Sequence, residues 1–311
     1  MVPEVSVIVG TFNCARFLPG LWACLDAQTF RNFEIVVVDD ASTDGETLAA
    51  LEARGDRIRL IRRTVNSGTC ELPRYQGVRA AQAPLCAFLD ADDRWDPEFL
   101  ERCAAHLRDH PEEAFVHTYV RVVDGADRVL RIRHEGAMPV GAALPRALLR
   151  HCHVTISAVV ARKDVWLAAV SEDELADFGM DQDIFLRIVR RHSAGFIPEV
   201  LASYRRSEAS VSVKKWRRYP RNVNTLERIA RNRLWEGLAP KAEMDRILRD
   251  AYLENAEHWR GAGAPGRALW FCGRGLCRRP WDWKLWKTVA GTLARRRRGD
   301  TRSATESATR V

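Results

Sequence analysis

Phe33-Glu34-Ile35-Val36-Val37-Val38-Asp39-Asp40-Ala41-Ser42-Thr43-Asp44 decides the architecture. Its apolar residues, Ile35 to Val38, run without alternation, the pattern of a strand covered on both faces, and stop at two carboxylates. The same arrangement recurs on either side. Val5 to Val9 leads into Thr11-Phe12-Asn13 and a helical stretch to Ala27, and Ile58 to Ile61 leads into Asn66-Ser67-Gly68 and a helix from about Pro73 to Ala81. Leu85 to Leu89 leads into Asp90-Ala91-Asp92-Asp93. Strands alternating with helices predict βαβ units, hence an α/β fold: a single Rossmann-like, mixed, mostly parallel sheet flanked by helices. Ligands of such sheets sit beyond the carboxyl ends of the strands, where the unusual polar residues of this half fall.

Asp90, Asp92 and Asp93 repel one another unless a cation sits on them. A hard divalent ion, Mn2+ or Mg2+, carrying a phosphate suits them; a solvated acidic turn before the helix near Asp96-Pro97 is the plain alternative. Phe12, flanked by Thr11 and Asn13, offers an aromatic face, and Asp40 a carboxylate able to accept from a base N–H, so the two suit a pyrimidine nucleoside. Equally, Phe12 can pack under its loop and Asp40 cap the helix that begins near Asp44. Arg74 opens the helix after Asn66-Ser67-Gly68, where guanidinium and helix N-terminus both favour a pyrophosphate, unless it pairs with Glu71. The first strand is not followed by GxGxxG, which disfavours a dinucleotide site, and the chain has no GxxxxGK[ST] P-loop.

In order and spacing these motifs resemble those of the family 2 inverting glycosyltransferases, which have the A-type glycosyltransferase fold. The similarity continues through Asp181-Gln182-Asp183-Ile184-Phe185-Leu186-Arg187, Ile197-Pro198-Glu199-Val200-Leu201 and Tyr204-Arg205. It implies a metal-dependent transfer of sugar from a nucleotide-diphospho-sugar to a hydroxyl of a glycan or lipid-linked acceptor, in cell-surface polysaccharide or glycolipid synthesis. It further implies a donor site of Thr11, Phe12, Asn13, Asp40, Asn66, Gly68, Arg74, Asp90 and Asp92. The metal is expected on Asp93 first and Asp92 second, with Asp90 orienting the donor ribose or sugar. Asp181 is implied as general base, with Asp183 as the fallback; on its own, Asp181 reads as a helix N-cap.

Three positions depart from the family pattern: Gly10 where proline or threonine is common, Met180 where an acid is common, and Ser207 where many members carry histidine. Ser207, Ser210 or Ser212 is the expected substitute for that histidine. Two other functions compete. A sugar-nucleotide nucleotidyltransferase would want a basic, glycine-rich loop after the first strand. A catalytically inactive peripheral membrane or scaffold protein of the same fold would have little reason to keep Asp92, Asp93, Arg74 and Asp181 together.

At 311 residues and 46% hydrophobic the chain can bury a full core. No stretch approaches ~18 consecutive apolar residues. Met1-Val2-Pro3-Glu4 lacks the features of a signal peptide, so a cytoplasmic protein is expected. Eight cysteines without a CxxC pair predict reduced thiols, and His151-Cys152-His153 are too close in sequence to share one ion readily.

Beyond Asp109 the expected strands are Phe115 to Val123 and Val154 to Val160, and the expected helices Pro145 to Arg150 and Asp181 to Arg191. Three regions are expected: a nucleotide-sugar-binding catalytic domain at 1–215, a helical, basic, Trp-rich appendage at 216–299, and a disordered tail at 300–311. Arg260 to Val311 holds 13 Lys+Arg against 3 Asp+Glu, although the whole chain carries only +8. With Trp281, Trp283 and Trp286 this describes a helix at an anionic membrane surface, peripheral on the cytoplasmic face of the inner membrane. The alternative is an appendage packed on the catalytic domain with its tryptophans buried. Nucleic acid is not an expected partner, because no reading motif accompanies the charge.

Overall fold

The computed structural model describes residues 2–170, 180–206 and 223–294. The chain divides into two compact units, Met1–Ser207 and Glu208–Val311. The boundary expected at residue 215, the serines at 207, 210 and 212, and the tail from residue 300 all lie outside the described residues.

The strands of the first unit are β1 (Val5–Thr11), β2 (Phe33–Asp39), β3 (Arg59–Arg62), β4 (Leu85–Phe88), β5 (Arg94–Trp95), β6 (Glu113–Val123), β7 (Val129–Ile132), β8 (Val159–Arg162) and β9 (Ser193–Arg205). Its α-helices are α1 (Leu18–Asp26), α2 (Gly45–Glu52), α3 (Glu71–Ala80), α4 (Phe99–Asp109), α5 (Ala143–Leu148), α6 (Lys163–Ala169) and α7 (Asp181–Val189). The strands form one mixed sheet in the order β3-β2-β1-β4-β8-β6-β9-β5, with β7 added beside β6. Strands β3, β2, β1 and β4 are mutually parallel, β8 runs against both β4 and β6, and β9 is parallel to β6 over its whole length.

Both faces of the parallel half are covered, as its unbroken apolar runs predict. Val5, Val7, Val9 and Val37 pack in one core with Leu18, Leu21 and Leu25 of α1 and Phe99, Leu100 and Cys103 of α4. On the other face Phe88 meets Trp166 at 4.3 Å between ring centroids, and Trp166 in turn meets Phe185 of α7 at 5.8 Å. Burying each such side chain stabilises the fold by about 1.5–3 kcal/mol. Gly77 sets the depth of α3: a Cβ there would lie 2.6 Å from Ile8 Cγ2, so only glycine lets the helix approach β1 this closely. Arg74, one turn earlier, is thereby held at the carboxyl ends of the strands.

The second half departs from the sequence expectation most clearly at residues 154–160 and at β9. Val154 to Val160 is not one strand but a 3-10 turn at Ile156–Ala158 followed by the short β8. Ser157 explains the break, since its Oγ accepts from the Asp90 N–H at 3.3 Å and its carbonyl accepts from Trp95 Nε1 at 2.6 Å. This backbone therefore serves the loop after β4 instead of a ladder. Strand β9 is not among the expected strands, and it contains Pro198, which has no N–H to give to a ladder. The structure keeps the strand by bulging there: pairing jumps from Thr118 with Ile197 to Tyr119 with Val200, which skips the residue without an N–H.

In the second unit, helices run over Val223–Arg231, Lys241–Gly261, Pro265–Arg278 and 283–294. Gly263, at φ +72°, and Pro265 make the break between the second and third of these. Met244, Ile247, Leu248, Tyr252, Phe271 and Leu285 are buried at its centre. A Cβ on Gly275 would lie 2.8 Å from Leu285 Cδ1, so this glycine lets the last helix dock.

Candidate active site

The loops at the carboxyl ends of β1 and β2 are tied together by residues expected to hold a donor. The Thr11 hydroxyl donates to Asp39 at 3.0 Å. Asn13, at φ +45°, donates from its side chain to Thr43 Oγ1 and accepts from the N–H groups of Thr43 and Asp44, so its exposed carboxamide organises the β2 loop. Asn66 does the same for the next loop, donating to the Asp40 carbonyl at 2.9 Å and accepting from Gly68 N–H at 2.8 Å. Gly68 itself sits at φ +71°, the left-handed conformation that glycine adopts freely. Asp40 is buried, accepts from the Ser67 N–H and hydroxyl, and lies 2.7 Å from Arg63 Nε. The plain reading of Asp40 as cap of the next helix is incorrect: its partners belong to the loop before α3. Phe12 does not pack under its loop either; it is 46% exposed and offers its ring to solvent.

At the end of β4 the three carboxylates separate in role. Asp90 N–H is held by Ser157, and its carboxylate accepts from Arg74 NH2 at 3.2 Å. Asp93 is 1% exposed; its Oδ1 accepts from the backbone N–H of Arg205 at 2.8 Å, whereas its Oδ2 is buried without a partner among the described residues. Asp92 is half-buried and its carboxylate bonds no other side chain among the described residues. Burial, followed by the nearby charge of Asp90, pushes its pKa up to about 6. Burial and the charges of Asp92 and Asp90 hold the Asp93 carboxyl well above the usual carboxylate range. An orphaned buried oxygen beside a half-buried carboxylate with no cationic side chain bonded to either is a donor set that fits a hard divalent cation.

Arg74 is the link to the far wall. Its expected alternative partner is Glu71, but the guanidinium turns elsewhere: NH1 lies 2.9 Å from Asp181 Oδ1 and NH2 3.2 Å from Asp90 Oδ1. Glu71 instead accepts from Met180 N–H at 3.3 Å, which fixes the residue before α7. Burial alone would lower the Arg74 pKa, but the facing Asp181 carboxylate, with Cys70 and Asp90, raises it, so the guanidinium stays charged. Asp181 is set at the first position of α7, and its side chain remains 29% exposed. Burial pushes its pKa up to about 6, with Arg74 pulling down and Glu71 and Asp90 pushing up.

Asp183 is removed from the role of fallback base. It is fully buried, and its two oxygens accept from Arg187 Nε at 3.0 Å and Arg187 NH2 at 3.2 Å, one helical turn on. An acceptor hydroxyl cannot reach it.

Two residues that sequence reasoning left without a role shape this site. Arg205 donates its N–H to Asp93, its Nε to the Asp92 carbonyl at 3.0 Å and its NH1 to the Asp124 carbonyl at 3.0 Å, and it pairs with Asp127. Ser157 holds Asp90 and Trp95 as described above. The Tyr204-Arg205 motif was the available signal for the first; a serine inside an apolar run gave none for the second. His151, Cys152 and His153 do not gather as metal ligands: Cys152 Sγ donates to the Val154 carbonyl at 3.2 Å, and the one group of three or more His, Cys, Asp or Glu ligand atoms drawn together among the described residues is at His110, Glu112 and Glu113.

The sequence model for glycosyl transferase family 2 matches residues 6–166, just over half of the chain. EpsE of Bacillus subtilis (strain 168), whose name places it among glycosyltransferases, is 32% identical over 162 residues, covering 50% of this chain and 55% of EpsE. TarS of Staphylococcus aureus (strain Mu50 / ATCC 700699), a poly(ribitol-phosphate) beta-N-acetylglucosaminyltransferase, is 34% identical over 117 residues, 36% of this chain and 20% of TarS. The chain thus spans about half, or less, of the curated relatives that it matches. Among solved structures, S. aureus TarS 1-349 in complex with UDP-GlcNAc has a TM-score of 0.64 at 18% identity, covering 95% of this chain and 92% of that one. The mannosyltransferase PcManGT from Pyrobaculum calidifontis, in complex with GDP-Man and Mn2+, has a TM-score of 0.56 at 20% identity, covering 94% of this chain and 86% of that one. These likenesses bear out the A-type fold expected from the motifs.

Proposed function

Because the chain belongs to glycosyl transferase family 2, we propose that it transfers a sugar, with inversion, from a nucleotide-diphospho-sugar to a hydroxyl of a cell-surface glycan or lipid-linked acceptor. The observation that carries this reading is the placement of Arg74 between Asp90 and Asp181, which joins the carboxylate cluster after β4 to the carboxylate that opens α7.

On the donor side, the exposed ring of Phe12 covers the face of the nucleobase, and Asp40 with the loops bound by Asn13 and Asn66 shapes the nucleoside pocket. Asp92 and the unpartnered oxygen of Asp93 hold a divalent cation, in that order of accessibility. Bound there, Mn2+ or Mg2+ supplies Lewis acidity to the leaving nucleoside diphosphate. The relatives support the donor class: TarS has been solved with UDP-GlcNAc, and PcManGT with GDP-Man and Mn2+.

On the acceptor side, Asp181 takes the proton from the attacking hydroxyl. With a pKa of about 6 it is mostly ionised at neutral pH, yet basic enough to receive a proton as the oxygen attacks. Arg74 holds Asp181 Oδ1, which leaves Oδ2 free to take the proton and restrains the carboxylate. Inversion follows from hydroxyl attack on the anomeric carbon opposite the departing phosphate.

Calorimetric titration with UDP, GDP and dTDP, each with and without Mn2+, tests the donor half. One nucleotide should bind, and more tightly with the ion. Failure of all three to bind under either condition would refute the donor site.

A further inference from the structure

The helix over residues 283–294 is amphipathic in the inverse sense. Its inner stripe, at i, i+3 and i+7, is Leu285, Thr288 and Thr292, all buried, with the two threonine hydroxyls donating to the carbonyls of Lys284 and Thr288 one turn back. Its outer stripe, Trp283, Trp286, Ala290 and Leu293, is exposed, although it is the more apolar of the two. Trp281, in the turn before the helix, is 94% exposed, and Trp270 on Pro265–Arg278 is also exposed. A soluble helix that buries threonine and presents tryptophan has its apolar face prepared for something outside the chain.

The sequence that carries this face is strongly basic. Between residues 262 and 294 the sequence holds six Lys and Arg and a single acid, Asp282. That acid is turned inward: its Oδ1 accepts from the N–H groups of Lys284 and Leu285 as the helix cap, and its Oδ2 lies 3.4 Å from Arg249. Lys287 lies over the Trp283 ring at 5.7 Å, so a cation borders the apolar stripe directly; Arg274, paired with Glu227, lies over the Trp270 ring at 5.5 Å. The sequence then continues into Arg295-Arg296-Arg297-Arg298.

We infer that this face docks on an anionic lipid bilayer, lying in the interface with tryptophans at headgroup depth and Lys and Arg against the lipid phosphates. No helix among the described residues is long and apolar enough to cross a membrane, so the contact is one of surface attachment. A second copy of the chain would oppose like charges across the contact. A nucleic acid would gain from the tryptophans and cations but nothing from Ala290 and Leu293, which extend the stripe along the helix axis and suit acyl chains.

The test uses the full chain and vesicles of phosphatidylcholine alone or with phosphatidylglycerol. The protein should float with the mixed vesicles and not with phosphatidylcholine alone, and its tryptophan emission should shift to the blue and be quenched by lipids brominated on the acyl chain. Lys284→Gln and Lys287→Gln should each weaken binding about fivefold. Trp281→Ser, Trp283→Ser and Trp286→Ser combined should abolish both flotation and quenching while leaving the far-ultraviolet circular dichroism unchanged. The inference is overturned if the wild type stays at the bottom of the gradient at low salt. It is equally overturned if the triple variant floats as the wild type does, or if flotation occurs without quenching. Nucleotide binding by the first unit is a separate measurement, so failure here leaves the donor site untouched.

Discussion

Asp92 and Asp181 stand at opposite walls of the site, and burial pushes both up to about 6, yet the protein answers the two charges differently. Asp181 is given a guanidinium, Arg74, at 2.9 Å. Asp92 is given none among the described residues; the nearest answer is Arg205, whose Nε turns to the Asp92 carbonyl instead of its carboxylate. A charge balanced by a fixed cation keeps one position and one pKa, which suits a base. A charge left without one holds affinity for a mobile cation in reserve.

The largest effect expected from this difference comes from Asp181→Asn. Transfer should fall by about 10²–10⁴-fold, while the nucleotide affinity measured by calorimetry stays within about twofold. A variant that still transfers at the wild-type rate would take the base away from Asp181. Next, Asp92→Asn should lower affinity for Mn2+ with nucleotide by about 10–100-fold. In the wild type the same affinity should weaken by at least about tenfold per pH unit below about pH 6, because the carboxyls of Asp92 and Asp93 must both be ionised to bind. An affinity flat across that range would place the ion elsewhere.

Arg74→Gln sharpens the comparison by making Asp181 resemble Asp92. Since a base works in its ionised form, the wild-type rate should rise through about pH 6 and level off above it. Without Arg74, which lowers this pKa, the rising limb should move about one unit or more toward alkaline pH in the pH–rate profile. A limb that stays in place would mean that the guanidinium does not tune the base. The smallest kinetic effect belongs to Asp183→Asn. The position of the limb should not change, but replacing the buried carboxylate, which pairs with the partly exposed Arg187, should lower stability by about 1.5–3 kcal/mol in urea denaturation. A shifted limb with unchanged stability would restore Asp183 as a contender.

Sequence reading went furthest where a motif is local. Each parallel strand announces itself by an unbroken apolar run and hands over to its loop within a few residues, so β1 to β4 and the polar residues at their ends were legible together. The uses of those residues were less so. Thr11, Asn13 and Asn66 stand in the proposed donor loops, but their hydrogen bonds go to neighbouring loops, 28 to 31 positions away for Asn13 and Thr11. Arg74 was placed at the correct strand ends, yet its partner Asp181 lies 107 positions on, and nothing in either segment alone selects that pair over Arg74 with Glu71. In the same way the bulge that accommodates Pro198 in β9 depends on the partner strand β6. The exposed tryptophans of the second unit could be resolved by neither composition nor charge, since both fit a buried stripe as well as an outward one.

The contact between Arg205 and Asp93 also sets the order in which the site can come into being. Its two ends are 112 positions apart, and β5, which carries Arg94 and Trp95 directly after the cluster, pairs only with the far end of β9. Closing such a loop costs chain entropy before any contact compensates for it, so this pairing belongs among the slow, non-local steps of folding. The four-residue motif at Asp90 to Asp93 is complete as soon as it is synthesised. The pocket it lines is not complete until Arg205 has docked, and a chain ending before that residue would contain every donor motif while lacking the clamp that gives the cluster its shape.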